Sequence, residues 1–503
     1  MISLDVLLKT RYGTLKGEQK EGFMQFLGVP FAKPPLGELR FRKPQSAERW
    51  GGVRDATRYA DYCAQPGKAE SAVKYTKGSE DCLYLNVFTP GCDKKKRPVV
   101  IWIHGGAYLT GAGSSCAKQG DRMCREYDMV VVSIQYRLGA FGCVDFAALS
   151  GLSDRFDHNC GTWDQVAAVN WVIENIMDFG GDPDCVTLMG ESAGACSVLT
   201  LITTPYLKGK IRRAIMDSPA PLLMNTAENG RLAALDVLGY LGLKEHEAYQ
   251  LAGMSAERLT KAVNDSEYNF VNHHPYLLPT APVVDGDLIP ELPFDALRHG
   301  AADGIELLIG TTKDEGTLFA MGNKRDIFPG NTRQMEKFFA DHPEANRSAI
   351  TALYPDYPGK RAFQEIGKEL FFHLPSIEIA DRLSKTGKVY MHHFDYAFPV
   401  LKLIGMGAVH CTNSALTAGV ELQGLAKLLG LFSGKTGKAV AERIHHYWCS
   451  FIVSGDPNGA GEPIWPEYGK EKNTLFIDAR CHVEKAPFSK EQQAYGLIRP
   501  YKN

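Results

Sequence analysis

The chain has 503 residues, 44% hydrophobic and 10% aromatic, enough to bury a large core and too apolar for a disordered polymer. Its formal net charge is −2, with no basic stripe or acidic tail, which argues against a nucleic-acid partner. No apolar run reaches the about 18 residues of a membrane-spanning helix, and twelve cysteines without CxxC pairing read as buried thiols, not a disulfide scaffold or zinc site.

From the N-terminus, Met1-Ile2-Ser3-Leu4-Asp5-Val6-Leu7-Leu8-Lys9 has no basic n-region or sustained apolar stretch and turns polar at Lys9-Thr10-Arg11, so it does not read as a secretory signal. Arg499-Pro500-Tyr501-Lys502-Asn503 carries no retention or lipidation signal. A cytoplasmic protein is expected, monomeric or weakly homo-oligomeric, without contact to membrane or nucleic acid. The run Lys94-Lys95-Lys96-Arg97 reads as a solvated loop before a strand.

Val99-Val100-Ile101-Trp102-Ile103 and Val130-Val131-Val132-Ser133-Ile134 are short β-branched runs, the pattern of strands buried on both faces of a parallel sheet. Between 164 and 177, Val166, Val169, Ile173 and Ile176 fall on one helical face, and Phe179-Gly180-Gly181-Asp182-Pro183 stops the helix. Cys185-Val186-Thr187-Leu188-Met189 is the next strand, completing a βαβ unit. Further strands are expected at 306–309, 388–395 and 474–477, and helices at 193–201, 256–263, 332–339 and 439–453. No linker or repeat divides the chain. The fold class is α/β: a central, mostly parallel twisted sheet flanked by helices. One elaborated domain spans 1–503, and helical material from about 225 to 385 covers the top of the sheet.

Gly190-Glu191-Ser192-Ala193-Gly194 lies between the strand ending at Met189 and the following helix, which is where a nucleophile elbow must sit. Such a turn strains the serine backbone and aims helix N–H groups at developing negative charge. A serine hydroxyl needs an adjacent base, itself oriented by an acid. Among fourteen histidines the best placed is His410, in the glycine-bearing loop Gly405-Met406-Gly407-Ala408-Val409-His410-Cys411. For the acid, Asp314 and Glu315 both follow a strand directly, and local chemistry leaves both open. His104-Gly105-Gly106-Ala107 follows the strand ending at Ile103, where backbone donors for an oxyanion are needed. His104 itself is expected to shape that loop.

Together these residues resemble the type-B carboxylesterase and cholinesterase family of α/β-hydrolases. Supporting blocks are Phe26-Leu27-Gly28-Val29-Pro30-Phe31-Ala32-Lys33-Pro34-Pro35-Leu36-Gly37 and Ser79-Glu80-Asp81-Cys82-Leu83-Tyr84-Leu85-Asn86-Val87, with Asp164-Gln165 and Gly455-Asp456-Pro457-Asn458 further on. The HGGA variant resembles bacterial esterases of the para-nitrobenzyl-esterase kind. The resemblance implies a serine carboxylesterase acting on small to medium esters through Ser192, Glu315 and His410, with no metal or organic cofactor. It selects Glu315 over Asp314, makes Gly106, Ala107 and Ala193 the oxyanion donors, and puts Glu191 and Ser218 behind the triad. Cys63 and Cys82 match a pair that secreted relatives join; here they are expected to be close but reduced.

Departures concern substrate choice. Asn413 stands where the family commonly has an acid, and Ser414-Ala415-Leu416 replaces an aromatic continuation. Between Cys63 and Cys82 there is no tryptophan to bind a choline cation. Tyr108, Phe270, His273, His274, Tyr276, Leu277, Phe319 and Leu403 are candidate pocket residues. The rival readings are an inactive cholinesterase-like binding protein, a hydrolase of amides, carbamates, lactones or thioesters, and, more weakly, a lipase.

Overall fold

Runs of β-branched residues build the sheet in a computed structural model that describes residues 4–69, 73, 75–274, 276–321, 331–417, 434–459, 461 and 463–496. The extreme termini read above, 1–3 and 497–503, lie outside the described residues. Every residue of Val130–Ile134 is buried, as is every residue of Arg97–Ile103 except Pro98. Burying such a Val or Ile side chain contributes about 1.5–3 kcal/mol.

The large sheet runs Leu4–Thr10, Gly13–Lys20, Phe23–Pro30, Tyr84–Thr89, Val130–Ile134, Arg97–Ile103, Gly181–Glu191, Arg213–Asp217, Glu306–Thr312, Val389–Phe394, Asn473–Ile477, His482–Lys485. From Val130–Ile134 to Asn473–Ile477 all neighbours are parallel. The N-terminal strands and the last strand join antiparallel. Parallel strands share one carboxyl edge, and ligand sites of open α/β sheets form there.

The βαβ helix spans Cys160–Asn175, starting earlier than its apolar spacing, and continues as a tight turn over Ile176–Phe179. Gly180, at φ 78°, closes it in a left-handed conformation that favours glycine. Inside, Arg137 forms a salt bridge with Asp164 at 2.7 Å, both side chains buried, and also donates to the Arg42 carbonyl at 2.8 Å. A buried pair of this kind locks elements together, because either partner alone would be an uncompensated charge.

Helices Ala256–His273 and Gly434–Ser454 extend beyond their sequence-predicted bounds, whereas Thr332–Asp341 keeps close to its own. Strand Glu306–Thr312 sits mid-sheet, so the helical material between 225 and 385 falls into two blocks, one on either side of it in sequence. Cys63 and Cys82 are both free thiols, buried and close to each other. Among the described residues, no helix is long and apolar enough to cross a membrane.

Candidate active site

The site is assembled from loops that leave the carboxyl edge of neighbouring parallel strands. Gly181–Glu191 ends at Ser192, which opens helix Ala193–Thr203 with φ 57° and ψ −124°. That conformation is costly for any residue with a Cβ and is held by its surroundings. The Ser192 N–H donates to the Asp217 carbonyl at 2.9 Å, and the Ser192 carbonyl accepts from Cys196 N–H at 3.0 Å. Glycine is required on both sides of the turn. A Cβ on Gly194 would lie 2.1 Å from the Ile103 oxygen, and one on Gly190 would lie 2.4 Å from the backbone of Gly194.

His410 Nε2 is 2.7 Å from Ser192 Oγ, and its Nδ1 contacts Glu315 Oε2. In the neutral tautomer the hydroxyl donates to Nε2 while Nδ1–H donates to the carboxylate. Phe372 and Phe319 tilt against the imidazole, with ring centroids at 4.9 and 5.2 Å, and confine its orientation. Glu315 is fully buried. Its Oε1 accepts the Ser218 hydroxyl at 2.5 Å and the Thr312 N–H at 2.7 Å. Burial opposes its ionisation, but the His410 charge and these donors hold its pKa below the usual carboxylate value. Burial likewise opposes charging of His410, and the adjacent Glu315 carboxylate, through its charge and hydrogen bond, outweighs it and raises the pKa.

Asp314 plays a different part. Its Oδ2 accepts the Ala408 N–H at 2.8 Å, and its own N–H donates to the Ala408 carbonyl at 3.0 Å. The left-handed Gly407 lies against this carboxylate, where a Cβ would come within 2.1 Å of Oδ2. Nothing in local sequence chemistry separates these acids; the fold does, since Glu315 reaches the imidazole while Asp314 is turned to the loop backbone.

Glu191 faces His410 from the other side, with Oε1 3.4 Å from Nε2, and accepts the Cys411 thiol at 2.7 Å. Burial raises its pKa. Two thiols flank the serine, and burial pushes both Cys196 and Cys411 up to about 12. Near neutral pH neither supplies a thiolate to compete with the hydroxyl.

The loop after Arg97–Ile103 bends tightly, with φ 114° at Gly106, 54° at Ala107 and 57° at Tyr108. Its carbonyls are engaged: Gly106 accepts from Leu109 and Thr110, both at 3.0 Å, and Ala107 accepts the Thr280 hydroxyl at 2.8 Å. Among the described residues no acceptor takes the Gly106 or Ala107 N–H. The Ala193 N–H sits in the first helical turn, where no intrahelical acceptor exists. His104 stacks on Tyr136 at 4.5 Å and its Nδ1–H donates to the Gly105 carbonyl at 2.9 Å, so it shapes this loop. Burial lowers its pKa to about 4.

Ser192 opens into an apolar cavity. Tyr108 and Phe319, both sequence-predicted, line it, together with Ala107, Ala193, Cys196, Leu199, Leu223, Met224, Leu278 and Phe372. The other candidates do not. Leu403 is 86% exposed, Tyr276 packs on Phe338 and Phe371, and Phe270 packs on His274. His273 and Leu277 are likewise absent from the lining. Asn413 is fully buried. Sequence reading missed Phe372, Cys196 and the anchoring role of Asp314; the first two lie on helical positions that pattern alone assigns to core.

Residues 5–495 match the Carboxylesterase family. The chain is 36% identical to para-nitrobenzyl esterase of Bacillus subtilis, over 97% of this chain and 98% of that protein. It is 33% identical to phenmedipham hydrolase of Pseudarthrobacter oxydans, over 93% and 94% of the two. Among solved structures, a carboxylesterase of Geobacillus stearothermophilus superposes with a TM-score of 0.83 at 35% identity, covering 97% of this chain and 99% of that one. With the α/β-hydrolase architecture and a serine at the elbow, the chain belongs to the carboxylesterase family and is a serine carboxylesterase.

Proposed function

We propose that Ser192 is the nucleophile, His410 the general base and acid, and Glu315 the group that orients the imidazole, with the N–H groups of Gly106, Ala107 and Ala193 forming the oxyanion hole. The observation that carries this reading is the 2.7 Å contact between Ser192 Oγ and His410 Nε2, continued by His410 Nδ1 to a buried Glu315. His410 takes the hydroxyl proton as Oγ attacks the ester carbonyl, and the amides hold the tetrahedral oxyanion. The imidazolium returns the proton to the leaving alcohol. Water, deprotonated by the same nitrogen, then hydrolyses the acyl-enzyme. Ser218 and Thr312 fix Glu315 through its other oxygen, and Glu191 backs the imidazole.

The substrates are small to medium uncharged carboxylic esters. The apolar wall of the cavity beside Ser192 supports this, since it offers no charged partner to a substrate. The protein works as one domain, its site covered by helices that precede and follow strand Glu306–Thr312. It acts in the cytoplasm as a monomer or weak homo-oligomer without a nucleic-acid partner; the modest net charge and the buried free thiols fit that setting.

A hydrolysis panel varying acyl length and alcohol size, run beside matched amides, tests this reading. Esters should be turned over with much higher kcat/KM than the amides, and turnover should fall as the acyl chain outgrows the cavity. Equal turnover of esters and amides would contradict it.

A further inference from the structure

Cys411 follows the imidazole directly in sequence, and its thiol, which ester hydrolysis does not use, completes a cluster with Glu191 and His410. We propose that Glu191, His410 and Cys411 form an inhibitory site for a thiophilic divalent cation of the Zn²⁺ class, which stops catalysis by capturing His410 Nε2. Cys411 Sγ and Glu191 Oε1 are 2.7 Å apart, Glu191 Oε1 and His410 Nε2 are 3.4 Å apart, and the ligand atoms all lie within 4.8 Å of one another. A tetrahedral zinc with bonds of about 2.0–2.3 Å has ligand edges of about 3.3–3.8 Å. One edge already fits, and the sulfur–oxygen edge need open by only about 1 Å once the shared proton leaves.

The donor set suits the charge as well as the size. Thiolate and carboxylate together neutralise a dication, and sulfur with imidazole selects zinc and its heavier relatives over magnesium or calcium. His410 also has the support such ligands have elsewhere, because Nδ1–H donates to the Glu315 carboxylate and leaves Nε2 to the metal. Cys411 as a residue is half-buried and so is not sealed in the core. In the binding step the thiol loses its proton to solvent, bonds from the Cys411 sulfur, the His410 nitrogen and the Glu191 oxygen replace waters on the hydrated cation, and the Ser192–His410 hydrogen bond breaks. Water or the Ser192 hydroxyl takes the fourth position. Inhibition, unlike binding, rests on His410 being the base.

The test uses reduced, chelator-treated enzyme. Zn²⁺ is titrated against hydrolysis of a para-nitrophenyl ester, and Cd²⁺ binding is followed by its ultraviolet thiolate-to-metal charge-transfer band. Wild type should show one-site inhibition reversed by EDTA, and a band from one thiolate. Cys411→Ser should lose that band and need more than about 10-fold more Zn²⁺ for half-inhibition, measured against its own uninhibited rate. Unchanged inhibition and band in Cys411→Ser would overturn the site. If the variant does not fold, the cadmium position in wild-type crystals decides: bonded to Cys411 Sγ and His410 Nε2 as proposed, or elsewhere, which overturns it. Cadmium bound at Cys411 with undiminished hydrolysis would overturn the inhibitory role and His410 as base together.

Discussion

Asp314 Oδ2 accepts the Ala408 N–H at 2.8 Å, two residues before the imidazole that Asp314's own neighbour Glu315 engages. Adjacent acids thus act on the same histidine in two ways, the first holding its loop and the second orienting its ring. Asp314→Ala should lower kcat by up to about 10²-fold with a smaller change in KM, because small displacements of a catalytic group are costly. Asp314→Asn keeps an oxygen acceptor for Ala408 and should retain most turnover. Steady-state kinetics of the two variants checks this.

As the proposed base His410 must be neutral to take the serine proton, and its pKa is raised from the usual 6.5. Protonation therefore removes activity as pH falls, and the acid limb of kcat/KM should lie above about 6.5. In Glu315→Gln one of the charges that raises it is gone while burial still acts, so the limb should move down. An amide also orients the wrong tautomer, and kcat should fall by up to about 10⁴-fold. A pH–rate profile of both proteins reads the two effects together.

Ala107 lines the cavity at φ 54°, and its N–H is one of the proposed oxyanion donors. A bulky side chain there, as in Ala107→Leu, should displace the loop and cost about 10²–10³-fold in kcat, the scale of one lost oxyanion donor. Normal turnover would count against the loop. The Ser192 adduct rate with a fluorophosphonate should fall in parallel.

Arg137→Met leaves the Asp164 carboxylate buried without its partner. It should lower unfolding free energy by about 3–5 kcal/mol, read as a lower urea midpoint. Replacing both residues by apolar ones should recover part of that loss.

The central strands are legible in sequence because burial on both faces leaves contiguous apolar runs, as in Val130–Ile134. Leu4–Thr10 and Gly13–Lys20 carry no such signal: the first is largely exposed and the second mostly half-buried, and pairing with neighbours, not side-chain pattern, makes them strands. The elbow at Ser192 is legible because its glycines answer a local steric demand. The choice between Asp314 and Glu315 is not, since the contact that separates them spans 94 residues of chain; there, only family resemblance points to Glu315. Pocket lining fails for a similar reason. Leu277 and Leu278 differ by one position, yet only Leu278 faces the cavity, a matter of how the segment packs.

The most direct test of the catalytic assignment is covalent trapping. Enzyme treated with a fluorophosphonate and digested should give a single mass-shifted peptide with the adduct on Ser192. Labelling and esterase activity should both vanish in Ser192→Ala, whose residual turnover is expected to be lower by on the order of 10⁶-fold. An adduct on another residue, or a Ser192→Ala enzyme that still hydrolyses esters at the wild-type rate, would contradict the account.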